Sequence, residues 1–113
     1  MTERLNADGC PVALVSFDGE VPTGTVSLVA DDLEERPQLS PWLAGLYVEP
    51  RYRRRGIGEQ LVGAVLNHAK RCGYEHLYLF TPSRQSFFGR LGWSDFECLS
   101  RHGVEVSVMG RTL

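Results

Sequence analysis

The sequence predicts an α+β (α/β) fold in which a mixed, mostly antiparallel sheet surrounds one βαβ unit, with one long helix and one short helix. Three observations predict it. Apolar residues recur at spacings of three and four from Ile57 to Cys72, the stripe of an amphipathic helix. That segment is flanked by two apolar runs, "WLAGLYV" from Trp42 and "HLYLFTP" from His76, which read as parallel neighbours joined by the helix. Elsewhere, short stretches of alternating apolar and polar residues are separated by turn formers, the pattern of hairpins.

In chain order, "PVALVSFDGE" from Pro11 and "GTVSLVADD" from Gly24 alternate around "DGEVPTG" and form the first antiparallel hairpin. "DDLEERPQLSP", Asp31 to Pro41, is acidic and punctuated by proline, a loop or a single helical turn. "WLAGLYV", Trp42 to Val48, lacks clean alternation, as expected of a central strand buried on both faces, and Pro50 ends it. In the helix, Ile57, Leu61, Val62, Val65, Leu66, Ala69 and Cys72 share one stripe and Gly73 supplies the stop. After the strand from His76 to Pro82, "SRQSFFGRLGW" offers Ser83 as N-cap and Gly92 as C-terminal stop of a short helix whose buried side carries Phe87, Phe88 and Leu91. "SDFECLS" and "VEVSVMG", separated by "RHG", close the chain as a hairpin.

Length and composition narrow the function. With 113 residues, residues 1–113 are expected to form a single domain around one core. The hydrophobic fraction of 42% and charged fraction of 23% are those of a globular protein. The net charge of −2 makes the arginines of "EPRYRRRGIGEQL" a local concentration in a mildly acidic chain, which argues against nucleic-acid attraction by the whole protein. The N-terminus lacks a basic region followed by an adequate apolar run, and no later segment is long enough to span a bilayer; a cytoplasmic location without membrane association is expected. Cys10, Cys72 and Cys98 are widely spaced and lack a CxxC pairing, so reduced thiols are expected rather than disulfides or a metal site.

The stretch from Glu49 to Leu61 stands between a strand and the first turn of a helix. There the leading backbone N–H groups have no partner within the helix and the dipole is positive, so an anion is favoured. Gly56 and Gly58 remove side chains where a phosphate must come close to the backbone, and the neighbouring arginines can add bidentate charge. The pattern is strand, proline, Arg53-x-x-Gly56-x-Gly58, then an amphipathic helix. It is far longer than a bare GxG and suits a compact diphosphate.

This segment resembles the acyl-CoA pyrophosphate loop of the GNAT superfamily of N-acetyltransferases, whose signature is Gln or Arg, two residues, Gly, any residue, then Gly or Ala. "LYVEPRYRRRGIGEQLV" resembles that family's fourth strand and third helix, and "SFFGRLGW" its later short helix ending in Leu-Gly-aromatic. Together they span Trp42 to Trp93, nearly half of the chain. The resemblance implies that acetyl-CoA is the cofactor and that the pantetheine arm lies between two splayed strands. Leu46, Tyr47 and Val48 would meet the acetyl and pantetheine groups, one of their amides acting on the thioester oxygen. The amides of Arg54, Arg55, Gly56, Ile57, Gly58 and Glu59 would hold the pyrophosphate, with Arg53 opening the motif and the arginines suiting the further phosphate of coenzyme A. Thr81 stands where the family often has an asparagine beside pantetheine.

Two positions depart from the family's pattern. The tyrosine that commonly acts as general acid corresponds to Phe88, and the acidic residue that some members use as base corresponds to Trp42, so neither role carries over and the catalytic side chains stay unassigned. Acetyl transfer demands a neutral amine, a donor for the oxyanion and a protonated or free thiolate, and positioning supplies much of the rest. Ser83, Ser86 and Tyr47 offer hydroxyls, but an N-cap, a solvent-facing residue and a packed aromatic are the simpler readings. His68, His76 and His102 read as structural or solvated, and Cys72 as core. Asp31, Asp32, Glu34 and Glu35 could draw a cationic amine by their field, though a run of like charge ordinarily faces solvent.

The family generally opens with a strand and two helices that wall the acceptor groove, whereas here only about ten residues precede the first hairpin. The acceptor wall is therefore expected to be missing, and the apolar surface it would cover to be buried in a homodimer or against a partner chain, unless these residues are a piece of a longer protein. The function expected is transfer of acetyl from acetyl-CoA to a primary amine of a small molecule or a protein. The alternative is a catalytically weak acyl-CoA-binding or regulatory module. Nucleic-acid binding through Arg51, Arg53, Arg54 and Arg55 is the least favoured reading.

Overall fold

The computed structural model describes residues 2–5 and 11–113. Seven strands and two helices follow in the order β1 (Thr2–Leu5), β2 (Val12–Asp18), β3 (Val21–Val29), β4 (Trp42–Val48), α1 (Ile57–Arg71), β5 (His76–Thr81), α2 (Gln85–Arg90), β6 (Ser94–Arg101) and β7 (Val104–Thr112), with a 3-10 turn at Pro50–Tyr52. One sheet carries all seven strands in the order β1-β2-β3-β4-β5-β7-β6. Every neighbouring pair is antiparallel except β4 with β5, which the helical crossover makes parallel.

The predicted elements are present, and β1 is an addition to them: Thr2 to Leu5 pair with Phe17 to Leu14 at the edge of the sheet. Four residues do not establish a period, which is why the sequence did not announce this strand. The first hairpin turns more tightly than expected. Val21 and Pro22 already belong to β3, and Gly19, at φ +62°, makes the turn. At the other end His102 and Gly103 both have positive φ, 52° and 80°, the twist that a two-residue hairpin loop requires.

Two apolar clusters lie on opposite faces. α1 crosses β2, β3 and β4 and buries Ile57, Leu61, Val62, Val65 and Ala69 against Leu14, Val26, Leu28, Leu43, Leu77 and Leu79. The opposite face carries Trp42 of β4, Val108 of β7 and Leu33, which form the second cluster, edged by Tyr78 and Phe80 of β5. Leu33 comes from the acidic connection, which therefore packs on the sheet instead of extending into solvent. Glu35 accepts from Arg101 Nε at 3.3 Å and Glu97 accepts from Arg36 Nε at 2.7 Å, tying that loop to β6. The expectation that its charges face solvent as a run holds for Asp31 and Glu34, which are exposed, but not for Asp32, which is half-buried.

A close approach of α1 to the sheet depends on Gly24. A Cβ there would stand 2.9 Å from the carbonyl oxygen of Tyr47 and 3.0 Å from Leu61 Cδ1, so only glycine fits without displacement. No helix among the described residues is long and apolar enough to cross a membrane. Cys72 and Cys98 are free thiols, while Cys10 lies outside the described residues.

Candidate active site

The site begins with a defect in β4. Between Ala44, opposite Ser27, and Tyr47, opposite Thr25, β4 has one residue more than β3. Gly45 absorbs it at φ +64°, as in a bulge that bends a strand. On its other edge β4 pairs with β5 in register only at Trp42 and Tyr78, and beyond that pair the two strands diverge. The expectation of a strand buried on both faces is thus corrected: Trp42 and Leu43 are buried, but Leu46 and Val48 are half-buried and Tyr47 is 47% exposed. The physical reason is the splay, which removes the neighbour from one edge of the second half of β4.

Backbone groups along that half have a defined direction. Glu49 N–H donates to Thr23 on the β3 side at 2.8 Å. By the alternation of a strand, Val48 and Leu46 face the opening. Val48 indeed turns its carbonyl to Arg53 Nε, 2.9 Å away.

At the mouth of the opening lies a cavity of about 330 Å³, lined by Leu46, Tyr47, Val48, Tyr52, Arg53, Arg54, Gly56, Ile57, Gly58 and Glu59 from β4 and the start of α1, and by Arg84, Phe87 and Arg90 from around α2. Arg54 and Gly56 are left-handed, with φ of 65° and 80°. As helix N-cap, Gly56 has no side chain to offer the amides that follow, and the first helical bond is made by Gln60 N–H to Gly56 at 3.0 Å. The amides of Ile57, Gly58 and Glu59 precede it and head the helix dipole. A Cβ on Gly58 would already touch Phe87 Cζ at 3.5 Å and Val48 Cγ2 at 3.8 Å, so a larger side chain would occupy the cavity.

The arginines do not act as one patch. Arg53 binds the β4 backbone and lies over the Tyr47 ring, Arg54 lines the cavity, and Arg51 and Arg55 lie over the Tyr52 ring. Thr81 is buried and its Oγ1 accepts from Ser83 N–H at 3.4 Å and Arg84 N–H at 3.0 Å. This corrects the expected N-cap: Thr81, not Ser83, holds the entry to α2, because the chain leaves β5 in a tight turn that brings these two amides back to the last strand residue.

A second cavity, of about 390 Å³, adjoins the first and shares Leu46 and Arg84 with it. Its wall includes Leu43, Leu79 and Phe88 from the α1-side cluster, Phe80 from the opposite cluster, and Thr81, Gly45 and Asp32. Its wall thus draws residues from both faces of the sheet where β4 and β5 part. Phe88 is 5% exposed and stacks edge-on to Phe87 and Trp93. Trp42 belongs to the second core, its indole donating to Leu39 at 2.7 Å, so the two departures from the family's acid and base positions are packing residues. Ser83 and Ser86 line neither cavity. Asp32 is the one carboxylate on the second cavity, and desolvation by burial raises its pKa above the ordinary aspartate value, with Arg101 partly opposing the shift.

His68 is buried on α1 with its Nε2 3.7 Å from Cys72 Sγ, and His76 and His102 are exposed; none lines either cavity. Cys72 is half-buried at the helix end rather than in the core, since the helix stripe has reached its last turn there. No group of metal-ligating residues occurs among the described residues.

The family model for the acetyltransferase (GNAT) family matches residues 2–93. The chain belongs to the GNAT acetyltransferase family. Among solved structures, an aminoglycoside 6'-N-acetyltransferase complexed with coenzyme A has a TM-score of 0.76 at 17% identity, over 90% of this chain and 72% of that one. YncA from Salmonella typhimurium, with its cofactor acetyl-CoA, has a TM-score of 0.73 at 20% identity over 90% and 64%. A ribosomal-protein-alanine N-acetyltransferase from Brucella melitensis has a TM-score of 0.76 at 19% identity over 91% and 69%. This GNAT chain therefore spans about two thirds of the length of those three structures. No curated protein matches it significantly. Members of the GNAT family use acetyl-CoA.

The sequence did not single out Gly45, Phe87, Arg84 or Arg90 for the site. Gly45 had a signal, an isolated glycine inside an apolar strand. Arg84 and Arg90 had none, because their place on the cavity follows from where α2 folds back.

Proposed function

We propose that this protein binds acetyl-CoA in the first cavity, with its acetyl end at the boundary with the second, and transfers the acetyl group to a primary amine of a small molecule or a protein. The observation that carries the reading is the divergence of β4 from β5 next to a helix start that presents amides and a glycine to the same cavity. In this reading the amides of Arg54 through Glu59 hold the pyrophosphate, with Arg53, Arg54, Arg84 and Arg90 adding charge around it. Pantetheine runs along Leu46, Tyr47 and Val48, and Thr81 lies beside its far end. The thioester carbonyl then meets the outward amide of Leu46 or Val48, which stabilises charge on its oxygen as the amine attacks. The amine must be neutral when it attacks, and the thiolate leaves from the first cavity.

We place the protein in the cytoplasm as one acetyltransferase domain over residues 1–113, and as a homodimer or with a partner chain. Half-exposed Ala13, Val15 and Phe17 on the face of β2 turned away from α1 support association. Sedimentation at micromolar concentration tests that part, and a monodisperse monomer contradicts it.

The activity is tested by following thiol release from acetyl-CoA over a panel of primary amines comprising 1,5-diaminopentane, an aminoglycoside and a peptide with N-terminal alanine. Amine-dependent release supports the transferase. Binding of acetyl-CoA without release from any amine would favour a catalytically weak acyl-CoA-binding module, a reading that Phe88 in place of a proton donor keeps open.

A further inference from the structure

We infer that Asp32 binds the acceptor as an ammonium ion and takes its proton, so that the base of this enzyme comes from the loop between β3 and β4. This rests on the transferase reading above. The second cavity is walled from both faces of the sheet, by Leu43, Leu79 and Phe88 of the α1-side cluster and by Asp32, whose neighbour Leu33 packs in the opposite cluster. The cavity shared with the phosphate end includes Leu46 and Arg84 but not Asp32. A thioester laid along Leu46 and Val48 thus arrives from one side, and an amine drawn to Asp32 meets it from the other.

The loop is built to hold that carboxylate in position. Leu33, the next residue, is 3% exposed in the second core. Three residues farther on, Arg36 pairs with Glu97 and its N–H donates to Leu33 at 3.0 Å, while Glu35 pairs with Arg101. Asp31 and Glu34 are exposed and line, with Asp32, a separate hollow of about 230 Å³, whereas Asp32 alone of the three lines the second cavity. Besides Asp32, only Thr81 and Arg84 bring polar side chains to the second cavity, and a half-buried carboxylate in such a setting gains from a cation.

The ammonium gives one proton to the Asp32 carboxylate. The neutral nitrogen attacks the thioester carbon, the C–N bond forms and then the C–S bond breaks. The proton remaining in excess on nitrogen goes to the departing thiolate, leaving amide, free coenzyme A and a protonated Asp32 that returns its proton to solvent. Asp32 must be ionised to begin. Burial raises its pKa and Arg101 opposes this, while Arg84 in the cavity, Asp31 and Glu34 on the loop and the paired Glu35 are the other charges around it. Activity should therefore fall on the acid side as Asp32 takes up a proton.

The test compares wild type, Asp32→Asn, Asp32→Glu and Asp31→Asn for acetyl-CoA affinity by calorimetry and for kcat/KM with 1,5-diaminopentane, an aminoglycoside and an N-terminal-alanine peptide across pH. Asp32→Asn is expected to lose about 100-fold or more in kcat/KM, the range of general-base catalysis, together with the acid limb of the pH profile. Acetyl-CoA affinity is expected to be unchanged, Asp32→Glu to recover part of the activity, and Asp31→Asn to behave as wild type. An Asp32→Asn enzyme that keeps its activity or its acid limb overturns the inference, as does wild type that binds acetyl-CoA but acetylates none of the three amines. Absence of acetyl-CoA binding in wild type would instead overturn the transferase reading on which the inference rests.

Discussion

The two halves of β4 face opposite demands. At its start Trp42 and Leu43 point into the two cores, one on each face of the sheet, and Trp42 is in register with Tyr78 of β5. Three residues on, after the bulge at Gly45, the same strand has lost that neighbour and lines two cavities with Leu46, Tyr47 and Val48. One strand is thus scaffold at one end and an open, cavity-lining edge at the other, and a single extra residue marks the change. Substitutions in the first half should cost stability, and substitutions around the second should cost binding.

The largest effect should come from breaking the scaffold half. Trp42→Ala removes a fully buried indole and its hydrogen bond to Leu39 and should destabilise by about 3–5 kcal/mol, measured by denaturant unfolding. At the binding half, Gly58→Leu should weaken acetyl-CoA binding about 100-fold, equivalent to about 2.8 kcal/mol, while leaving the unfolding midpoint close to wild type. If both variants lost stability alike, the division of β4 would fail. The boundary itself is tested by Gly45→Ala. No atom stands within 4 Å of the added Cβ, so the expected loss, about 1–2 kcal/mol, arises from the left-handed backbone alone; an unchanged midpoint would mean that the bulge relaxes freely.

The smallest effect concerns the loop that carries Asp32. Arg36 hydrogen-bonds Glu97 and holds its carboxyl below the ordinary glutamate pKa. A depressed pKa contributes stability above the unfolded-state value and loses it as pH falls through the folded-state value. Thermal unfolding of Glu97→Gln should therefore lie slightly below wild type at neutral pH and converge with it in acid. Because both partners lie at the surface, the gap should be small and should shrink with added salt.

Much of this architecture was legible in the sequence because it rests on periodicity and on backbone rules. The α1 stripe from Ile57 to Ala69, the flanking apolar runs and the glycine stops at Gly73 and Gly92 each follow from a local pattern. The loop before α1 was legible for the same reason, since Gly56 and Gly58 announce a helix start whose leading amides have no partner within the helix. What the sequence did not show were the features created by long-range packing. Asp32 looked like one member of a solvated acidic run, and only the anchoring of Leu33 beside Trp42 turns it toward the gap. Arg84, Phe87 and Arg90 reach the first cavity because α2 folds back over the mouth, and β4 reads as doubly buried until β5 is seen to leave it.

The cofactor site is tested most directly by calorimetric titration of acetyl-CoA into wild type and into Gly58→Leu at moderate salt. One-to-one binding to wild type is expected, with a loss of about 100-fold in the variant, which is about 2.8 kcal/mol, and with the fold retained by circular dichroism. No binding to wild type, or equal binding to both proteins, would contradict the claim that the splayed edge of β4 and the start of α1 form the cofactor site.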